Sequence, residues 1–266
     1  MRITDKLNQL RHERRKALSI FVTAGFPAFD TTVPLVHGLA EAGADMVELG
    51  IPFSDPIADG PTIQLSSETA LRNGVTLEKT LQMAKEIRAR SSVPLVLMGY
   101  ANPVFAFGLK KFVDSCADIG VDGMIIADLP LEESEEYRFF ATERNVATIF
   151  LAAPTTSNER LAELDRCSTG FVYCISITGV TGERKGFEEQ TNAFLERARA
   201  CIKKNSLLVG FGISTPEDAR MAAKNADGVI IGSAMIQTLH NGPQDRAIDR
   251  AVEFVSKMRS ALDDKM

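Results

Sequence analysis

Residues 48–64 read ELGIPFSDPIADGPTIQ, an apolar segment that carries one carboxylate and then opens into a loop with two more. The apolar run from Met46 to Leu49 predicts a short buried strand that ends at this loop. A strand covered on both faces rarely carries a charge, because removing a charge from water is costly unless a partner or a chemical task offsets the cost. Glu48 is therefore either a structural carboxylate bonded to neighbouring hydroxyl groups or a functional group.

The same unit, a short apolar strand followed by a longer stretch with helical periodicity, recurs along the chain. Eight strands are predicted, at Leu18–Val22, Met46–Leu49, Pro94–Met98, Gly123–Ala127, Ala147–Leu151, Gly170–Ser176, Leu207–Gly210 and Gly228–Ile231. Helices are predicted between or after them, including Leu77–Ala89, Lys110–Asp118, Phe187–Lys203 and Asp245–Leu262. Parallel strands need crossover connections, usually helices, and eight such units in 266 residues favour an α/β fold closed into a (β/α)8 TIM barrel, typically about 250 residues long. A doubly wound open sheet is the alternative.

Composition indicates one ordinary globular domain. No linker, repeat or change in composition divides the chain, so a single (β/α)8 barrel domain is predicted over residues 1–266, with an additional N-terminal helix at Thr4–Arg15. A net charge of −5, a pI near 5.4 and the lack of a dense Lys/Arg block argue against nucleic-acid or basic membrane-surface binding. No signal-like segment or run of about 18 apolar residues occurs, which predicts a cytoplasmic protein without a membrane span.

The residue types that are missing from the predicted strand ends limit the catalytic mechanisms that the chain can use. Four cysteines show no CxxC spacing and no nearby histidine, which predicts reduced thiols and no metal site; they are Cys116, Cys167, Cys174 and Cys201. The histidines fall in predicted helices or at the periphery, so no histidine triad is indicated; they are His12, His37 and His240. No lysine lies within a predicted strand, which disfavours Schiff-base chemistry.

Two carboxylates remain as candidates for proton transfer. Burial would favour the neutral form of Glu48, while hydroxyl partners would keep Asp59 more easily ionised. Asp55 and Asp59 also fit an ordinary structural role, because Ser-Asp-Pro and Ala-Asp-Gly-Pro are common turn sequences.

Glycine-rich loops follow the last two predicted strands. Gly210–Ser214 follows the seventh strand, and Gly232 with Ser233 follows the eighth, where a short helix is predicted at Ser233–Leu239. Glycines let backbone N–H groups approach an oxyanion, and a helix directs its positive end at it. Because barrel enzymes bind ligands where strands end, the combination predicts a phosphate site.

These residues resemble the tryptophan synthase alpha subunit family. ELGIPFSDPIADGPTIQ is similar to its signature segment, and further segments resemble the family in the same order: ANPV at 101–104, IADLP at 126–130, TGVTGE at 178–183, GFGIS at 210–214 and IGSA at 231–234. The resemblance implies a (β/α)8 barrel that cleaves indole-3-glycerol phosphate into indole and glyceraldehyde 3-phosphate by a retro-aldol reaction. It also implies a carbon–carbon lyase of L-tryptophan biosynthesis with no cofactor of its own.

The resemblance assigns roles residue by residue. Glu48 matches the general acid/base, and Asp59 matches a second carboxylate that bonds the indole N–H. The positions around the indole and glycerol groups are Phe21, Met98, Tyr100, Ile125, Tyr173 and Phe211, together with Thr181 on a loop that closes over the substrate. The phosphate positions are Gly182, Gly212, Gly232 and Ser233. For the apolar residues, a barrel-core role is the alternative.

A partner is implied in the same way. The resemblance implies an α2β2 tetramer with a beta subunit that holds pyridoxal phosphate and receives indole through a tunnel. The residues that match the partner-facing surface are Pro52, Asp55, Pro56, Asn102 and Phe105. Two departures, Ile177 and Glu183, put the stability of the closed sixth loop and its response to the partner in question.

Two other functions are consistent with the same residues. A stand-alone indole-3-glycerol-phosphate lyase would release free indole at a rate independent of any partner. A non-catalytic barrel that senses a phosphate ligand and activates a partner would function without Glu48.

Overall fold

A computed structural model describes residues 2–175, 184–210 and 212–264, with side chains for all of these except 184–190. Nine parallel strands form one curled sheet in this part of the chain: β1 (Ala17–Thr23), β2 (Met46–Gly50), β3 (Leu95–Gly99), β4 (Gly123–Ile126), β5 (Ala147–Thr148), β6 (Leu151–Ala152), β7 (Phe171–Ile175), β8 (Ser206–Gly210) and β9 (Gly228–Ile231). Their order is β5-β4-β3-β2-β1-β9-β8-β7-β6, so the two ends of the sheet are consecutive in the chain.

The predicted fifth strand is split into β5 and β6, and the split closes the barrel. Between the two pieces, Ile149 donates its N–H to Met124 of β4 at 3.2 Å. The carbonyl of the next residue, Phe150, accepts from the N–H of Tyr173 on β7 at 3.0 Å. At this point the chain therefore changes its hydrogen-bonded neighbour from β4 to β7. Because β5 and β6 together occupy one position, the nine strands fill the eight positions of a (β/α)8 barrel.

Helices surround the strands, with bounds α1 (Arg2–His12), α2 (Thr32–Glu41), α3 (Pro61–Arg72), α4 (Leu77–Arg88), α5 (Ala101–Phe107), α6 (Leu109–Ile119), α7 (Glu135–Glu143), α8 (Asn158–Cys167), α9 (Arg184–Cys201), α10 (Pro216–Ala223), α11 (Ser233–His240) and α12 (Ala247–Asp263). Sequence and structure agree on the predicted helices to within a few residues at each end. None of the helices in the described ranges has the combination of length and apolarity that crossing a membrane requires.

Alternation along the strands produces two apolar layers. One set of side chains fills the barrel interior and includes Met46, Val96 and Ile125, while the other packs against the helices and includes Val47 and Leu97. Strands that are buried on both faces read as nearly continuous apolar runs, which is why the sequence shows blocks rather than alternation.

The additional N-terminal helix, predicted at Thr4–Arg15, lies at Arg2–His12 and covers the amino-terminal end of the barrel. Its apolar residues Ile3, Leu7 and Leu10 are buried and belong to the interior cluster. Ile3 fits against Gly123 at the start of β4 and Gly170 just before β7, where a side chain on either glycine would meet it.

A buried ion pair joins the last helix to the first strands. Arg259 of α12 lies 2.9 Å from the Asp45 carboxylate, and both side chains are less than a tenth exposed. Asp45 also accepts the backbone N–H of Leu18 at 3.0 Å. The pair therefore connects residues 214 positions apart in the chain.

Candidate active site

Glu48 lies on β2 and points into the barrel, because it alternates with the interior residue Met46 and pairs with Val96. It is 0% exposed. Ser19 of β1 donates its hydroxyl to Glu48 Oε1 at 2.8 Å, whereas Oε2 has no hydrogen-bond partner among the described residues. Burial raises the pKa of Glu48 to about 7, and the Ser19 hydrogen bond opposes this only partly. The carboxyl group can therefore release or take up a proton near neutral pH.

Asp59 lies in the loop after β2 and is held by Tyr100, the residue that follows β3. The Tyr100 hydroxyl donates to Asp59 Oδ2 at 2.9 Å and accepts the N–H of Ala58 at 3.2 Å. Burial raises the pKa of Asp59, and the Tyr100 hydrogen bond opposes that rise by favouring the ionised form. The pKa of Tyr100 is itself raised by burial and by Asp59, so the hydroxyl stays protonated as the donor.

The predicted apolar contacts line the same region. Phe21 of β1 is opposite Glu48 in the strand register, and Met98 of β3 is opposite Ile125 of β4. Burial raises the pKa of Tyr173 on β7, and the charges of Glu48 and Asp59 raise it further, so this ring lies within electrostatic reach of both carboxylates. Two other predicted contacts, Thr181 and Phe211, lie outside the described residues.

The predicted phosphate positions occupy adjacent strand ends. Gly212 follows β8 with a φ of +74°, a backbone conformation that favours glycine. Gly232 follows β9, the hydrogen-bonded neighbour of β8, and Ser233 is the first residue of α11. The first N–H groups of this helix have no partner within it and carry its positive end. Gly182, with the departures Ile177 and Glu183, lies outside the described residues.

The residues predicted to face a partner divide into two groups. Asp55 and Asn102 are exposed, and Phe105 is 49% exposed, which is high for a large apolar side chain. Pro52 and Pro56 are buried, although both belong to the loop after β2. Ile57, which the sequence interpretation did not single out, is 82% exposed in that loop.

Two further polar residues support the site and were assigned no role from sequence. Ser19 donates its hydroxyl to Glu48. The feature of the sequence that could have indicated this is a single hydroxyl residue within an apolar strand. Asp128, which follows β4, accepts the N–H of Ala101 at 2.7 Å and so fixes the start of α5. Within the described ranges, no group of three or more His, Cys, Asp or Glu side chains is placed to hold a metal ion.

The fold and these side chains define a (β/α)8 barrel with two carboxylates, Glu48 and Asp59, and with two glycines and a helix N-terminus at adjacent strand ends. A sequence model of the family "Tryptophan synthase alpha chain" matches residues 7–263. A tryptophan synthase alpha chain from Geobacter sulfurreducens is 45% identical over 261 residues, covering 98% of each chain. One from Pelobacter propionicus is 44% identical over 263 residues, covering 98% of this chain and 97% of the relative. The crystal structure of tryptophan synthase subunit alpha from Legionella pneumophila superimposes with a TM-score of 0.90 at 36% identity, covering 99% of each chain.

The chain therefore belongs to the tryptophan synthase alpha chain family. The family cleaves indole-3-glycerol phosphate, so the chain is a carbon–carbon lyase of tryptophan biosynthesis. The resemblance, the barrel fold and the lyase function predicted from sequence are thereby confirmed, and the comparisons favour neither the stand-alone lyase nor the non-catalytic sensor.

Proposed function

We propose that Glu48 is the general acid/base of the retro-aldol cleavage. Its protonated form donates a proton to the indole carbon that bears the glycerol phosphate chain. The bond between that carbon and the chain then breaks and its electron pair returns to the indole ring, while the adjacent hydroxyl gives its proton to the Glu48 carboxylate and becomes the aldehyde of glyceraldehyde 3-phosphate. Proton transfer from a positioned group of this kind contributes about 10²–10⁴-fold to the rate.

One observation carries this assignment. Glu48 is a fully buried carboxyl group with one oxygen held by Ser19 and no hydrogen-bond partner for the other among the described residues. A structural carboxylate is normally satisfied at both oxygens, because an unpaired buried polar atom is costly. The free oxygen and a pKa of about 7 suit a group that exchanges a proton with a substrate.

Asp59 is proposed to accept the indole N–H and to stabilise positive charge that develops on the ring. The Tyr100 hydroxyl supports this role because it favours the ionised form and fixes one carboxylate oxygen. A fixed negative charge in a site with little water stabilises such a transition state more strongly than one in solvent. The substrate phosphate is assigned to Gly212, Gly232 and Ser233, with Gly182 retained as a prediction.

The assembly is part of the same proposal. The chain is a single barrel domain without a cofactor of its own, and it acts in the cytoplasm in complex with a beta subunit that carries pyridoxal phosphate, as an α2β2 tetramer. Membership in an alpha-chain family supports the complex. The exposed apolar side chains of Ile57, in the loop after β2, and Phe105, on the helix after the neighbouring strand β3, support a partner on this face, since exposed apolar groups mark interaction sites.

Indole release from indole-3-glycerol phosphate tests the assignment, measured with and without a beta subunit. Glu48→Gln is the test variant, and Glu41→Gln, on the exposed surface of α2, is the matched control. The test variant is expected to lose at least about 10²-fold in kcat with KM little changed, whereas the control keeps full activity. Near-normal turnover by Glu48→Gln would reject the catalytic role, and full activity without the beta subunit would reject the dependence on a partner.

A further inference from the structure

A cavity of about 260 Å³ lies at the amino-terminal end of the barrel, away from Glu48. Leu7 and Leu10 of α1 form its apolar wall. Its other lining residues are charged: Arg11, Arg14, Arg15, Lys16 and Asp227. The cavity therefore lies between the end of α1 and the residues that precede β1 and β9.

Two of these charges are already paired. Arg15 contacts the Asp263 carboxylate at 3.0 Å and the Glu13 carboxylate at 3.2 Å. Asp227 contacts Arg199 at 2.7 Å and also accepts the N–H of Leu207 at 2.8 Å. Arg15 is therefore paired with carboxylates outside the cavity, whereas Asp227, although it contacts Arg199, still acts on Lys16 through its charge.

The other three cations have no ion-pair partner among the described residues. Arg11 donates to the Ser206 hydroxyl at 3.1 Å, and Lys16 donates to the Ala226 carbonyl at 2.7 Å. Arg14 has neither a side-chain hydrogen bond nor an ion pair within the described ranges. Burial lowers the pKa of Lys16, and the nearby charge of Asp227 opposes this only partly, so the ammonium group is partly desolvated without a carboxylate in direct contact. Three cations without an ion pair in contact among the described residues thus surround one cavity in a chain whose net charge is −5.

Arg14 also occupies a backbone position that is unfavourable for arginine. Its φ is +56°. The N–H of Arg14 donates to the carbonyl of Arg11, and the N–H of Arg15 donates to the carbonyl of Leu10. This hydrogen-bond pattern is typical of a helix that ends with a residue in the left-handed conformation. Glycine or asparagine usually fills that position. After α7 the same pattern contains Asn145, with a φ of +55°. Arg14 thus places a cation at the cavity although its left-handed backbone conformation is unfavourable for a residue with a side chain.

We propose that this cavity binds a small multivalent oxyanion, either a phosphate ester or a polycarboxylate. Arginine side chains bind both groups through paired N–H donors, and three adjacent cations match an anion that carries two or more charges. A bound anion would contact α1 together with the residues before β1 and β9. It would thus be held at the opposite end of the barrel from the acid–base pair.

Amide resonances of the ¹⁵N-labelled chain test the proposal, with inorganic pyrophosphate and citrate titrated separately at constant ionic strength. Binding at this cavity is expected to shift the amides of residues 14–17, 227 and 228 saturably with at least one probe. A phosphate site at the other end of the barrel would instead shift Ser233 and its neighbours, so the two sites are distinguished. The probe that binds more tightly identifies the class of ligand.

The variant Arg14→Gly/Lys16→Gln removes two of the cavity cations. Lys85→Gln/Arg90→Gln removes two exposed cations that do not line the cavity, and it is the matched control. The affinity of the first variant is expected to fall by about tenfold or more, while that of the control changes by less than about twofold.

Arg14→Gly alone should weaken binding and raise the midpoint of thermal unfolding, because glycine fits a left-handed backbone conformation. A loss of binding in this variant therefore cannot be attributed to unfolding. Absence of a saturable shift with both probes, or equal weakening in both double variants, overturns the proposal.

Discussion

Glu48 makes the stability of the chain depend on pH, because its pKa differs between the folded and the unfolded state. Its pKa rises from 4.5 to about 7 on folding, mainly because burial penalises the charged form. Between these two pH values the folded state retains a proton that the unfolded state has lost. The free energy of unfolding therefore falls as the pH increases through this window, by up to about 3 kcal/mol above pH 7.

Glu48→Gln should remove this dependence because glutamine does not ionise. The variant is expected to unfold with a free energy about 1 kcal/mol higher than the unmodified chain at pH 5 and about 3 kcal/mol higher at pH 8. Urea unfolding at the two pH values measures the difference, with Glu41→Gln as the exposed control. A stability difference that is the same at both pH values would contradict the shifted pKa.

Tyr100→Phe should alter the site through Asp59. The change removes the hydroxyl that favours ionised Asp59 and leaves the N–H of Ala58 without that acceptor. We expect kcat/KM to fall by about tenfold and the pKa of Asp59 to rise further, so that the acidic limb of the pH–rate profile moves to higher pH. Indole release measured between about pH 5 and pH 9 tests this, with Tyr137→Phe on the outer helix layer as control. If the acidic limb does not move, the Tyr100 hydroxyl does not control the ionisation of Asp59.

Single residues could be predicted where the sequence departs from its local pattern. Glu48 is conspicuous as a carboxylate within an apolar strand, and its burial follows from its neighbours. Ser19 could not be assigned in advance, because its contact with Glu48 depends on the pairing of β1 with β2. The buried state of Pro52 and Pro56 likewise depends on how the loop after β2 folds back, which local composition does not determine.

At the scale of elements, α1 contributes to the core despite lying outside the repeating unit. Ile3→Ala should lower the free energy of unfolding by about 3 kcal/mol, because it removes a fully buried side chain against two glycines and leaves a cavity. Asn8→Ala, on the exposed face of the same helix, should change it by less than about 0.5 kcal/mol. Urea unfolding compares the two, and equal small effects would mean that α1 does not stabilise the barrel.

The elements themselves were largely predictable, since strands buried on both faces give unbroken apolar blocks and helices give charged periodic stretches. The break in the fifth strand was not. Ile149 bonds β4 and Phe150 bonds β7, so the break marks a change of pairing partner that exists only in the closed sheet. No local property of the segment Ala147–Leu151 distinguishes it from a continuous strand.

At the scale of the whole molecule, the Arg259–Asp45 pair connects the last helix to the first strands. Arg259→Met should lower the free energy of unfolding by about 3 kcal/mol or more, because it leaves the buried Asp45 carboxylate without its cation. Lys257→Met, which breaks the exposed pair with Glu253 one turn earlier on α12, should cost less than about 1 kcal/mol. Urea unfolding of both variants is the measurement. Similar effects of the two changes would show that the buried pair has no special role in closure.

Overall architecture was predictable because eight repeating units in one chain leave few closed solutions. The positions of the ion pair and of the cavity beneath α1 were not predictable, since each depends on residues that are distant in sequence. Arg259 and Asp45 illustrate this, because neither is unusual in its local context.

The position of α1 has a consequence for how molecules reach the carboxylates. Because its apolar side chains fill the amino-terminal end, the interior is a chamber closed at that end in the described part of the chain, and we expect Glu48 to be approached from the carboxyl ends of the strands. Substrate is then expected to enter, and both products to leave, at the carboxyl ends. Whatever occupies the rim of the chamber, a partner chain or an inhibitor, therefore governs arrival and departure together.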